Sequence, residues 1–196
     1  MGRGRLEAFS DGVLAVIITI MVLELKAPRG ADFAALAPLV PALLTYVVSF
    51  VFIGIYWNNH HHMLHAAAHI DGRVLWANLH LLFWLSLVPF ITEWVGSAPT
   101  ASAPTALYGA VLLMAGVAWL ILQRSLVKLN GPDSALARAV GRDLKGRISA
   151  VLYSVGIVLA FVNTWVSDSV YVLVAMMWLV PDRRIERTIR AGESPA

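Results

Sequence analysis

The chain contains no cysteine among its 196 residues, which excludes a disulfide framework and catalysis by a thiolate. Charge is also scarce. Asp, Glu, Lys and Arg make up 14% of the residues, whereas about a quarter of the residues in soluble domains are charged. No phosphate-binding loop, dinucleotide fingerprint, zinc-protease helix or nucleophile elbow occurs in the sequence. These absences argue against an enzyme.

Apolar residues dominate what is present. They account for 59% of the chain, and the mean hydropathy is +0.72. Six apolar segments approach the roughly 20 residues that a membrane-spanning helix needs. They cover residues 6–25, 34–57, 74–95, 104–124, 148–166 and 169–181. The pattern predicts an all-α membrane protein in which residues 1–196 form a single six-helix transmembrane domain, although the short sixth segment leaves a five-helix alternative open.

The positions of the Lys and Arg residues favour six helices over five. With a cytoplasmic N-terminus and six crossings, only Lys26 and Arg29 of the 15 basic residues lie outside, and 13 lie inside. Cytoplasmic loops of membrane proteins carry an excess of Lys and Arg, so this count predicts that both termini are cytoplasmic. We therefore expect a multi-pass protein of the cell's inner (plasma) membrane.

The first apolar segment begins with charged and polar side chains. Arg5 is followed after three residues by Phe9, Ser10 and Asp11. A helix beginning at Asp11 would leave only about 15 residues before Lys26, too few to span a membrane, so the helix is expected to begin earlier and to bury the motif. A buried carboxylate needs a partner, and Arg5 or a histidine at the end of the second helix is the expected one. The alternative is that Ser10 or Asp11 simply caps the helix, with Arg5 at the lipid headgroups.

Three blocks of sequence together resemble the transmembrane protein 175 family of endosomal and lysosomal potassium channels. They are Arg5 with Phe9-Ser10-Asp11, Tyr56-Trp57-Asn58-Asn59-His60-His61, and Asn78-Leu79-His80-Leu81-Leu82 leading to Pro89-Phe90. The resemblance implies a homotetramer in which the first helices line a central pore. It also implies a structural role for His60 and His61, which would tie the second helix to the first.

The same resemblance implies which residues face the pore. The matching positions on the first helix are Val16 and Thr19, followed by Leu23, with Val16 at a constriction where a larger Ile or Leu would be expected; Ile20 lies on the same face. These positions share one face of an α-helix. Gly12 and Ala15, together with Thr19, form a second possible face, suited either to the pore or to close helix packing.

The resemblance therefore implies a potassium-selective, leak-type cation channel. It contains no Thr-Val-Gly-Tyr-Gly filter, so a hydrophobic constriction would discriminate between ions in place of backbone carbonyls. Expected partners are potassium ions, further copies of the chain and membrane lipid, with no cofactor, metal or nucleic acid. The alternatives are a scaffold without permeation and a proton-coupled exchanger that uses Asp11 and the histidines between His60 and His69. Asn78, His80 and Asn163 are expected to form hydrogen bonds between helices.

Overall fold

The computed structural model describes residues 2–140 and 143–179, and these residues form helices joined by loops and turns, without a β-strand. Eight α-helices and one short 3-10 helix follow one another along the described part of the chain. The 3-10 helix, Phe33–Leu39, leads directly into the second α-helix. The α-helices are α1 (Arg3–Leu23), α2 (Val40–His65), α3 (Gly72–Ser86), α4 (Val88–Ser97), α5 (Ser102–Asn130), α6 (Ala135–Val140), α7 (Leu144–Leu159) and α8 (Thr164–Leu179).

Four helical segments in the described part of the chain are long and apolar enough to cross a membrane. They are Arg3–Leu23, Phe33–His65, Gly72–Ser97 and Ser102–Asn130, and they correspond to the first four predicted segments. The remaining helices α7 and α8 have 16 residues each. At 1.5 Å per residue each is about 24 Å long, somewhat less than the roughly 30 Å of a bilayer core. The number of crossings beyond four therefore stays a prediction.

The third crossing segment consists of two helices with a break at Leu87. Pro89 lies at the start of α4 and has no backbone N–H, so it cannot donate to the carbonyl four residues earlier. The Leu87 N–H bonds to the Trp84 carbonyl instead of continuing the regular α-helical pattern. By length and composition, α3 and α4 together nevertheless form one apolar segment of 26 residues.

The boundary between the fifth and sixth predicted segments was wrong. The prediction extended the fifth segment to residue 166, whereas α7 ends at Leu159 and α8 begins at Thr164. Asn163 causes the difference, because its side-chain Oδ1 accepts hydrogen bonds from the backbone N–H of Trp165 (3.0 Å) and Val166 (3.4 Å). It therefore caps α8 and does not form the expected bond between helices. The predicted end of the sixth segment at residues 180–181 and the basic tail at 183–190 lie outside the described residues.

Helix α5 packs against α3 and α4, which precede it, and against α7 and α8, which follow it. It therefore connects the N-terminal helices to the C-terminal ones. The contact with α7 and α8 depends on two glycines. The Tyr171 ring on α8 lies against Gly109 on α5 and Gly156 on α7, at positions where a Cβ atom would collide with it. Tyr171 is fully buried there and its hydroxyl donates to the Thr105 carbonyl at 3.3 Å. This packing joins the C-terminal helices to the bundle built by α1 to α5.

Candidate functional site on the first helix

Helix α1 has two different sides. Its buried side contacts α2, α3 and α4, and consists of Leu6, Ser10, Leu14, Ile17 and Met21. Its other side is not covered by the described part of the chain, and the exposed fraction reaches 55% at Val16 and 78% at Leu23. The helix is therefore held against the bundle by one side only.

All four predicted pore-facing residues lie on the uncovered side of α1. Val16, Thr19, Ile20 and Leu23 are exposed, and so are Gly12 and Ala15. The sequence left two faces of α1 as candidates to line the pore, and both of them lie next to each other on the uncovered side. Thr19 donates its hydroxyl hydrogen to the Val16 carbonyl oxygen at 2.8 Å. This bond leaves the lone pairs of the Thr19 oxygen available to a partner outside the helix.

A buried chain of hydrogen bonds connects α1 to α3 and α2. Its members are Ser10, Asn78 and His60, and each is at most 2% exposed. The Ser10 hydroxyl donates to the Leu6 carbonyl at 2.8 Å and accepts from Asn78 Nδ2 at 2.9 Å. Asn78 Oδ1 lies 2.7 Å from His60 Nε2. Because a carbonyl oxygen can only accept, His60 Nε2 carries the hydrogen and donates.

This arrangement determines the tautomer of His60. With the hydrogen on Nε2, its Nδ1 is an acceptor, and that atom is buried without a hydrogen-bond partner in the described part of the molecule. A neutral imidazole in this orientation binds Asn78 and so connects α2 to α3. Asn78 in turn donates to Ser10 and connects α3 to α1. The expectation that Asn78 bonds between helices is correct. His80 differs, because it accepts from Trp84 Nε1 at 3.0 Å within its own helix.

The expected partner of Asp11 was wrong. Asp11 is half-buried, and its Oδ1 accepts a hydrogen bond from the Trp57 indole N–H at 3.1 Å, not from Arg5 or a histidine. Arg5 is exposed, and its side chain has no polar partner among the described residues. It is Arg3 that reaches the end of α2 and beyond, donating to the carbonyls of His65 (3.1 Å) and Ala67 (3.3 Å). A Trp indole N–H commonly finds a polar partner, but this rule does not identify Asp11 as the partner of Trp57.

A second polar contact between α1 and α2 lies one turn before Asp11. His61 Nδ1 is 2.8 Å from Glu7 Oε1, and the His61 ring stacks on the His65 ring with 6.1 Å between centroids. The described residues contain no group of three His, Asp or Glu side chains able to hold a metal ion. Glu7 and Asp11 are about 6 Å apart along the helix axis. Glu7 and Asp11 therefore attach the N-terminal part of α1 to α2, and residues 12–23 of the helix have no titratable side chain.

Comparison with known proteins gives a consistent result. The family model described as endosomal/lysosomal potassium channel TMEM175 matches residues 5–89. A protein named as a potassium channel in Chryseobacterium sp. is 49% identical over 190 residues, covering 97% of this chain and 99% of the relative. Another, from Streptomyces collinus, is 31% identical, covering 89% and 90%. The crystal structure of a lysosomal potassium-selective channel TMEM175 homolog from Chamaesiphon minutus aligns with a TM-score of 0.78 and 30% identity, covering 91% of this chain and 96% of that one.

Proposed function

The chain belongs to the TMEM175 family of endosomal/lysosomal potassium channels, and from this membership we propose that it is a potassium-selective, leak-type channel. It is a multi-pass membrane protein with several apolar helices. In the proposal, four copies assemble in the cell's inner (plasma) membrane with both termini in the cytoplasm. Their α1 helices then surround a single central pore.

The uncovered side of α1 carries this proposal. The buried hydrogen bonds of Ser10 and the contacts of Glu7 and Asp11 hold the opposite side against α2 and α3, so the helix presents one defined side to a neighbouring subunit. Gly12 and Ala15 on that side are small, which allows membrane helices to approach closely. A Cβ atom at Gly12 would meet nothing within 4 Å in the subunit itself. Space around α1 is therefore available for other copies of the helix.

The constriction is proposed at Val16, with Thr19 one turn further along. A narrow apolar ring forces an ion to give up part of its hydration shell, and potassium, which holds its shell less strongly than sodium, crosses at lower cost. The Thr19 oxygen replaces part of the lost water, because its hydrogen already bonds to the Val16 carbonyl and its lone pairs are available. Ile20 and Leu23 continue the apolar lining.

The proposal is tested by potassium flux from liposomes that contain the purified protein, with sodium and proton flux measured in parallel. Val16→Leu should lower potassium flux, since the ring narrows, and Val16→Asn should raise it with reduced selectivity, since the ring becomes wet. Thr19→Val keeps the shape and removes the hydroxyl, so the potassium over sodium ratio should fall while the pore stays open. Val158→Leu makes the same kind of change at an exposed position on α7, away from the proposed pore helix, and is the matched control that should leave flux unchanged.

Three results would contradict the proposal. One is a monomeric mass for the purified protein in detergent. Another is flux that responds to Val158→Leu but not to changes at Val16. A third is proton flux coupled to potassium movement in the opposite direction, which would favour the exchanger. The absence of titratable side chains on α1 beyond Asp11 and before Glu24 supports the channel over that alternative.

A further inference from the structure

A cavity of about 750 Å³ lies between α2, α5, α7 and the end of α8, and no α1 residue lines it. Much of its wall is apolar and aromatic, including Phe52, Leu113, Val117, Leu120, Tyr153 and Trp178. A volume of this size suits a ligand much larger than an inorganic ion. The cavity is therefore separate from the proposed pore and could hold a molecule with a substantial apolar part.

Basic side chains border the same cavity. Arg124 and Lys128 lie one turn apart on α5, and Arg147 lies on the first turns of α7. All three are exposed, and within residues 2–140 and 143–179 none has a carboxylate oxygen within 4.0 Å. They are thus available to a ligand with a negative charge. Under the predicted topology they lie on the cytoplasmic side.

Two further polar groups lie in the cavity wall. Asp143 is half-buried, and its carboxylate accepts from the Gly146 N–H at 3.2 Å as the cap of α7. Among the described residues that line the cavity, three carry a positive charge and one is a carboxylate. Gln123 is only 8% exposed, and its Oε1 is buried without a hydrogen-bond donor in the described part of the chain. A buried acceptor without a donor costs free energy, so a ligand that supplied an O–H or N–H group there would be favoured.

We propose that this cavity binds an anionic phospholipid whose headgroup carries hydroxyl groups, with phosphatidylglycerol as the simplest example. Arg124 and Arg147 bind the phosphodiester, Lys128 adds positive charge at the rim, and a headgroup hydroxyl donates to Gln123 Oε1. An acyl chain covers the apolar wall. Basic pockets between membrane helices on the cytoplasmic side are suited to anionic headgroups.

The test is native mass spectrometry of the purified protein in detergent, with phosphatidylglycerol, phosphatidylcholine or soluble glycerol phosphate added. We expect saturable binding of phosphatidylglycerol at one molecule per chain, and much weaker binding of phosphatidylcholine. Arg147→Gln should weaken phosphatidylglycerol binding about fivefold, since one basic residue near a lipid surface contributes about 1 kcal/mol. Arg73→Gln removes the same charge at an exposed position that does not line the cavity, and should leave the affinity unchanged.

A second pair of variants tests the cavity without changing charge. Gly116 lines the cavity and has open space at its Cβ position, so Gly116→Leu should fill the apolar part and abolish the bound lipid. Gly54→Leu, at another glycine with open space but outside the cavity lining, is the control. Equal binding of the two lipids, unchanged affinity in both Arg147→Gln and Gly116→Leu, or displacement of the lipid by glycerol phosphate at equal concentration would each overturn the proposal. The readout is lipid occupancy, so it does not depend on ion flux.

Discussion

Replacing Asn78 should loosen the attachment of α1, because this one side chain connects three helices. Asn78→Ala removes the donor to Ser10 Oγ and the acceptor for His60 Nε2, both inside the bundle. Hydrogen bonds between membrane helices contribute about 0.6 kcal/mol on average and at most about 1.7 kcal/mol, so two of them predict a loss of about 1–3 kcal/mol. The upper part of that range is expected, because His60 would then have both ring nitrogens buried without partners.

The loss is measured as the free energy of unfolding when the protein in mild micelles is titrated with sodium dodecyl sulfate, with helical circular dichroism as the signal. Ser10→Ala should cost less, about 1 kcal/mol, since it removes only one hydrogen bond between helices and leaves the His60 contact intact. Asn59→Ala is the matched control, because the Asn59 side chain donates only to the Ile55 carbonyl of its own helix. An Asn78→Ala variant as stable as the control would refute the assignment of this network as the attachment of α1.

Three further substitutions test the corrected contacts with the same titration. Asp11→Ala removes the acceptor of the Trp57 indole and should cost about 1 kcal/mol, whereas Arg5→Ala should change stability by less than about 0.5 kcal/mol; a larger loss for Arg5→Ala would mean that Arg5 has the partner first expected of it. Asn163→Ala removes the cap of α8 and should cost about 1 kcal/mol, with faster hydrogen exchange at the backbone amides of residues 165 and 166. Unchanged exchange there would show that the cap contributes nothing.

Hydropathy was sufficient for the long helices and insufficient for the short ones. The four long segments stand out because each is followed by a stretch of polar, Gly or Pro residues in the sequence. The turn at residues 160–163 does not, since Ala160, Phe161 and Val162 are as apolar as the helices beside them. Where both helix and turn are apolar, composition carries no signal of the boundary. Asn163 was the one available signal, and the same side chain is equally compatible with a cap and with a bond between helices.

Partners across helices were harder to predict than helices. A carboxylate such as Asp11 can be recognised as needing a partner from its position alone, but which side chain supplies it depends on the rotation and axial offset of the neighbouring helix. Arg5 is a plausible partner by charge, yet it lies on an exposed part of α1. Trp57 lies on α2 at the same level along the helix axis as Asp11, and only the packed structure shows that the two side chains meet.

The three sequence blocks that carry the family resemblance meet at one place in the structure. Ser10, His60 and Asn78 each come from a different block, and together they form the buried chain that holds α1. Ser10 and Thr19 are nine residues apart, about two and a half turns, so they point to opposite sides of the helix. Holding Ser10 inside the bundle therefore directs Thr19 away from it, where Thr19 is exposed. The same hydrogen bonds that stabilise the subunit thereby orient the side of α1 on which the proposed pore depends.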